Sequence, residues 1–156
     1  VLEIHIPGFA DLRIAHIVSD YNGTLALDGR LLPGVADTLA ELAAVATIHV
    51  ITADTFGLAR AELAGLPVEL TIAPTEAQAD TKLALIERLG AESVAAFGNG
   101  RNDRKMLKAA TLGIALLQKK GLAAETLANA NLVAPGILEA LDLLRKPKRL
   151  IASLRS

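Results

Sequence analysis

The chain has 156 residues and a formal net charge of −1, enough length for one buried core and no basic footprint for nucleic acid. It contains no cysteine, which excludes disulfides, thiolate catalysis and cysteine-based metal centres. No apolar run approaches the roughly 18–20 residues of a membrane span, and the N-terminus has no signal-peptide pattern, so a cytoplasmic protein without membrane contact is expected.

In chain order, Leu2 to Ile6 alternates apolar and polar residues, Pro7-Gly8 breaks the pattern, and Leu12 to Val18 is extended again. That predicts a hairpin whose second arm continues into a central strand ending at Asp20. Thr24 to Leu32 places Asp28-Gly29 between short apolar pieces, the signature of a small flap. Pro33-Gly34 opens a predicted helix to about Val45, with Val35, Leu39, Leu42 and Val45 on one face. Thr47 to Thr52 reads as a β-branched strand, Phe56 to Ala64 as a short helix and Val68 to Ile72 as a strand. After Pro74 a helix runs to Leu89, closed by Gly90.

Ser93 to Phe97 is a predicted strand, Asn102 to Ala110 a helix, Gly113 to Leu116 a strand and Gly121 to Ala130 a helix. A brief strand at Leu132-Val133 precedes helices from Pro135 to Arg145 and from Pro147 onward. Strand and helix alternate almost throughout, which predicts a three-layer, Rossmann-like α/β fold with a parallel sheet between helices. One domain over residues 1–156 is expected, with no internal repeat or linker. The basic residues Arg145, Lys146, Lys148, Arg149 and Arg155 read as a solvated helical tail in preference to an anionic-surface contact.

Polar clusters fall where the strands end or a helix begins: Asp20-Tyr21-Asn22-Gly23-Thr24, Thr52-Ala53-Asp54, Lys82, and Asn99-Gly100-Arg101-Asn102-Asp103. Parallel strands bring their carboxyl ends to one edge, so the clusters can converge. A carboxylate, a hydroxyl, a lysine and a second carboxyl and amide group together suit phosphoryl transfer, which needs positioning and charge neutralisation above all. Each cluster alone has an ordinary reading as a turn, a helix cap or a solvated lysine. Their order is what points to a site.

The four clusters resemble the motifs of the haloacid dehalogenase (HAD) superfamily of aspartate-nucleophile phosphohydrolases. Asp20-Tyr21-Asn22-Gly23-Thr24-Leu25 is similar to that family's DxDGT-L, Val50-Ile51-Thr52 to its second motif, Lys82 to its third, and Gly98-Asn99-Gly100-Arg101-Asn102-Asp103 to its GDGxND. Thr52-Ala53-Asp54 and the stretch from Gly98 to Ala115 also resemble P-type ATPase phosphorylation domains, and the whole chain resembles soluble P-type ATPase-like proteins.

The resemblance implies that Asp20 attacks phosphorus to form an aspartyl phosphate. It implies Mg²⁺ held by Asp20, the Asn22 carbonyl, Asn99 and Asp103, and phosphoryl oxygens bound by Gly23, Thr52, Ala53, Lys82 and Asn102. Two positions depart from the pattern. Asn22 replaces the acid that protonates the leaving group and activates water, help typically worth about 10²–10⁴-fold. Asn99 replaces a charged metal ligand.

A slow or specialised phosphohydrolase for an unidentified phosphorylated substrate is therefore expected, with phosphoenzyme formation easier to preserve than turnover. The stretches from Leu25 to Ile51 and from Thr52 to Lys82 are too short for an inserted cap or nucleotide-binding domain, so a capless protein is expected. The alternative reading is a catalytically degenerate HAD-like phosphate or nucleotide sensor, or an oligomeric scaffold. A homo-oligomer is compatible with either. His5, His16 and His49 lie on strands without partners at metal-ligand spacing and read as structural or surface histidines. Asp54 is read first as a cap for the helix that follows it.

Overall fold

The computed structural model describes residues 1–156. The chain opens with an antiparallel pair, β1 (Leu2–Ile6) and β2 (Ala10–Ile14), which forms its own two-stranded sheet. Next come β3 (His16–Ser19), the short flap strands β4 (Ala26–Leu27) and β5 (Arg30–Leu31), α1 (Val35–Leu42), β6 (Thr47–Thr52) and α2 (Leu58–Leu63). They are followed by β7 (Glu69–Ile72), α3 (Gln78–Leu89), β8 (Val94–Gly98), α4 (Arg104–Ala109), β9 (Leu112–Leu116) and α5 (Ala124–Ala128). The remaining elements are β10 (Leu132–Ala134), α6 (Ile137–Arg145) and α7 (Pro147–Leu154). Single 3-10 turns at Ala91–Ser93 and Arg101–Asp103 precede β8 and α4.

Six strands form the central sheet in the order β10-β9-β8-β3-β6-β7, every pairing parallel. From β3 the chain builds outward through β6 and β7, then returns to the other flank of β3 for β8, β9 and β10. The reversal lies between β3 and β8, and the crevice outside their carboxyl ends is where open α/β sheets bind ligands. Asp20 follows β3 there, its N–H donating to the Phe97 carbonyl at 3.1 Å.

Alternation along the strands divides the core. Ile17, Ile48, Val50, Ala95, Phe97, Leu112 and Ile114 face a cluster that includes α1, α6 and the β1–β2 pair. Val18, Ile51, Val94, Ala96 and Ala115 face a second cluster built on α3 and α4. A sheet covered on both faces needs such two-sided apolar strands. No helix is long and apolar enough to cross a membrane.

The sequence expectations are corrected in several places. The hairpin does not run on into the central strand, because Ala15 interrupts it: its N–H donates to Ser93 and its carbonyl accepts from Thr47, switching the chain to new partners. The first helix stops at Leu42 rather than Val45, and Val45 is exposed. The helix expected from Gly121 begins at Ala124, because Gly121 has φ 85° and its N–H closes a turn on the Gln118 carbonyl.

Candidate active site

Asp20 is 7% exposed, and its two carboxylate oxygens are held by different partners. Lys82 Nζ donates to Oδ1 at 3.0 Å and the Thr24 hydroxyl donates to Oδ2 at 3.2 Å. Lys82 reaches this point because it shares a helical face with Leu85 and Ile86, the residues by which α3 packs on the sheet. At that helix's N-terminal end the same face looks past the strand ends, and the lysine is fully buried. Its ammonium also donates to Asp103 Oδ1 at 2.7 Å and Asn102 Oδ1 at 3.2 Å. Burial works against the charge, but the carboxylates of Asp20 and Asp103 outweigh it and raise the Lys82 pKa.

Asp103 is closed off from the cleft. Its second oxygen accepts the N–H groups of Asn99 and Gly100, each at 3.0 Å, and none of the residue is exposed. Gly98 must be bare for this, since a Cβ there would lie 2.5 Å from Asp103 Cγ. Burial first, and then the charge of Asp20, push the Asp103 carboxyl up to about 6, against the pull of Lys82. Expected among the metal donors, Asp103 is instead a buttress: it orders the Asn99-Gly100 backbone and helps hold Lys82.

Gly23 also departs from expectation. Its N–H donates to the Ala26 carbonyl at 2.7 Å and is not offered to a phosphate. Its carbonyl accepts from Asn99 Nδ2 at 2.7 Å and Gln118 Nε2 at 2.8 Å. Asn22 turns its side-chain oxygen to the Gly29 N–H at 3.1 Å. The Tyr21 hydroxyl donates to the Gly29 carbonyl at 2.7 Å, and its pKa rises to about 12, chiefly through burial with smaller help from Glu62 and Asp54. The flap turn, with Asp28 at φ 51° and Gly29 at φ 85°, is thus fastened to the two residues after Asp20.

Asp20, Asn22, Thr52, Ala53, Gln78 and Asn102 border one cleft of about 290 Å³, joined by Lys120 from the loop after β9. Lys82, Asn99 and Asp103 lie behind it as fully or almost fully buried residues. Asp54 caps α2, its two oxygens accepting the N–H groups of Ala59 at 2.7 Å and Arg60 at 3.1 Å. Arg101 is paired with Glu125 at 3.1 Å on the surface. The histidines are satisfied within the protein: His5 pairs with Asp11, and His16 Nδ1 lies 3.0 Å from His49 Nε2.

The donor set for a divalent ion is oxygen-rich but weakly charged. Asn99 turns its NH₂ to the Gly23 carbonyl, which leaves Oδ1 buried with no hydrogen-bond partner. An orphaned buried oxygen calls for an explanation, and a hard cation supplies one. With Asp20 and the Asn22 carbonyl it fits Mg²⁺ chemically, although no cluster of three or more His, Cys, Asp or Glu side chains is placed to hold a metal.

Sequence reasoning missed Gln118 and Lys120. Both lie beyond the carboxyl end of β9, and that position in a parallel sheet was the available signal.

Residues 77–132 match a family model described as haloacid dehalogenase-like hydrolase. An uncharacterised protein of Methanocaldococcus jannaschii is 38% identical over 78 residues, 47% of this chain and 84% of that relative. Among solved structures, the cobalt-bound deoxy-D-mannose-octulosonate 8-phosphate phosphatase of Haemophilus influenzae superposes with a TM-score of 0.71 at 14% identity. That match covers 92% of this chain and 94% of the other. The 3-deoxy-D-manno-octulosonate 8-phosphate phosphatase of Moraxella catarrhalis, in complex with magnesium, phosphate and its sugar, gives a TM-score of 0.66 at 18% identity. There the coverage is 91% of this chain and 94% of the other. Structural likeness at such identities speaks for the fold alone.

Proposed function

This chain belongs to the haloacid dehalogenase-like hydrolases, and on that footing we propose that it is a phosphohydrolase whose nucleophile is the Asp20 carboxylate. The observation that carries the proposal is the setting of Asp20. A carboxylate at the switch point of the sheet is paired with a buried ammonium 3.0 Å away and borders an open cleft. The Asp20 oxygen attacks phosphorus, the bond to the leaving oxygen breaks, and a phosphoryl group remains on the aspartate. The Thr52 hydroxyl, the Ala53 amide and the Asn102 side chain bind its oxygens from the cleft wall.

Lys82 balances the charge of Asp20 before transfer and that of the phosphorylated aspartate after it. Mg²⁺, held by Asp20, the Asn22 carbonyl and Asn99 Oδ1, would neutralise phosphoryl charge when bound. With Asp103 closed off, only one of these donors carries a full charge, and binding should be weak.

Asn22 carries no exchangeable acid proton, and its oxygen is already engaged by the Gly29 N–H. Neither departure of the leaving group nor attack of water on the phosphoenzyme receives help from this position, so turnover is slow, and with a leaving group that needs no proton the phosphoenzyme accumulates.

The test is phosphate release from acetyl phosphate and a panel of phosphate esters, with and without Mg²⁺, by wild type and Asp20→Ala. Activity that disappears in the variant supports the proposal. Equal release by both proteins would refute it. A wild type inert across the panel that still binds phosphate would favour the sensor reading.

A further inference from the structure

The loop between β9 and α5, residues 117–123, brings to the open side of the site a cation that the proposed reaction does not use. Lys120 lies along the bare Cα of Gly23: a Cβ there would come within 2.4 and 2.5 Å of Lys120 Cδ and Cε. Its Nζ ends 3.3 Å from the Asn22 carbonyl and 3.6 Å from where a Gly100 Cβ would stand. It borders the same cleft as Asp20, Thr52 and Asn102.

Lys120 is exposed, but the loop that carries it is pinned at both ends. Gln118 Nε2 donates to the carbonyls of Gly23 at 2.8 Å and Thr24 at 3.0 Å, while its Oε1 accepts the Ile137 N–H at 2.9 Å. The Ala123 N–H donates to the Asn99 carbonyl at 3.0 Å. Gly23, with φ 83°, and Gly100 leave the groove in which the side chain rests. The ammonium meets a carbonyl rather than a carboxylate, so its charge is left for a ligand. Lys82, by contrast, is matched by two carboxylates.

Charge at the site points the same way. Positions 22 and 99 are neutral amides, which weakens the pull on a dication, whereas a tethered ammonium needs no such pull to stay. Resting on the phosphoryl-transfer reading, we propose that Lys120 is the site's second cation, a phosphate-binding residue that lets the cleft take up a phosphate dianion without a divalent ion. The Asn22 carbonyl is also one of the oxygens Mg²⁺ would use, so the ammonium and the ion compete for it. Removing Lys120 therefore has opposite effects on the two ligands.

Calorimetric titration tests this with inorganic phosphate in EDTA, with inorganic phosphate in the presence of Mg²⁺ and, separately, with Mg²⁺ alone, on wild type, Lys120→Met, Lys120→Arg and the neighbouring control Lys119→Met. The expected result is phosphate binding by wild type in EDTA, weakened at least about tenfold in Lys120→Met and retained in Lys120→Arg and Lys119→Met. Mg²⁺ should bind Lys120→Met more tightly than wild type. Equal phosphate affinity in wild type and Lys120→Met would overturn the role of Lys120 and leave the Asp20 reading standing. Wild-type uptake of phosphate only when Mg²⁺ is present would do the same. No uptake under either condition would overturn both.

Discussion

Asp20 has two unlike sides. On the inner side, Lys82 and Asp103 are fully buried and the ammonium is shared between two carboxylates at 3.0 and 2.7 Å. On the outer side stand an amide, a flap turn and an exposed lysine, joined by longer contacts of 3.1 and 3.3 Å. The inner side holds the proposed nucleophile in place at the cost of burying Lys82 and Asp103 away from water. In the proposed reaction the outer side governs what happens once a phosphoryl group is on Asp20. Substitutions on the inner side should damage the fold and the chemistry together. Those on the outer side should change rates and affinities while the fold survives.

The sharpest way to break this contrast is Lys82→Met. It leaves the Asp20 and Asp103 carboxylates buried together without their shared cation, a loss of about 3–5 kcal/mol of stability. Urea denaturation measures it, and a loss below about 1 kcal/mol would remove the distinction between the sides. Asn22→Asp acts on the outer side alone. Its carboxylate can still accept from the Gly29 N–H, so the fold should be kept. Decay of a radiolabelled phosphoenzyme should quicken by roughly 100-fold or more, and an unchanged decay rate would show that water activation at position 22 is not what slows turnover.

Tyr21→Phe removes the buried hydrogen bond to the Gly29 carbonyl and should cost about 1 kcal/mol. Faster amide exchange within the flap should accompany that loss, and a flap exchanging as in wild type would mean that Tyr21 does not hold it. The smallest effect lies away from both sides. Burial lowers the His49 pKa against the opposing charge of Glu69, with His16 and Arg88 adding to the fall. The folded state then favours neutral His49, and its contribution to stability is present above the ordinary value of 6.5 and lost as pH falls through the lowered one. His49→Gln should therefore lose less Tm than wild type between pH 7.5 and pH 5.5, by on the order of 1–2 °C. Parallel acid curves for the two proteins would contradict this.

The same contrast marks how far the sequence could be read. The placement of the inner side was legible because each of its residues sits within or just after a recognisable element. Asp20 follows an apolar β-branched strand, Lys82 lies on an amphipathic helix, and Asp103 follows a glycine-flanked turn. Strand alternation and helix spacing were enough to bring them to one edge. The outer side was not legible, because its contacts join residues that no periodicity links: Gln118 and Lys120 reach Gly23 and Asn22 across separations of 95 and 98 residues.

The Gly23 N–H looked free for phosphate because the sequence could not show that the flap returns Ala26 to it. Asp103 looked like a metal donor because its enclosure depends on the missing Cβ of Gly98, where one would stand 2.5 Å from Asp103 Cγ, a packing fact with no local signature. The His16–His49 pair was invisible for the same reason: it depends on β3 lying beside β6.

The most direct test of the account is to find where the phosphoryl group goes. Wild type and Asp20→Asn would be incubated with labelled acetyl phosphate, quenched in acid and mapped by peptide mass spectrometry. The account predicts one acid-stable label, on the peptide containing Asp20, and none in the variant. Phosphate release that continues in Asp20→Asn, or a label on any other residue, would contradict it.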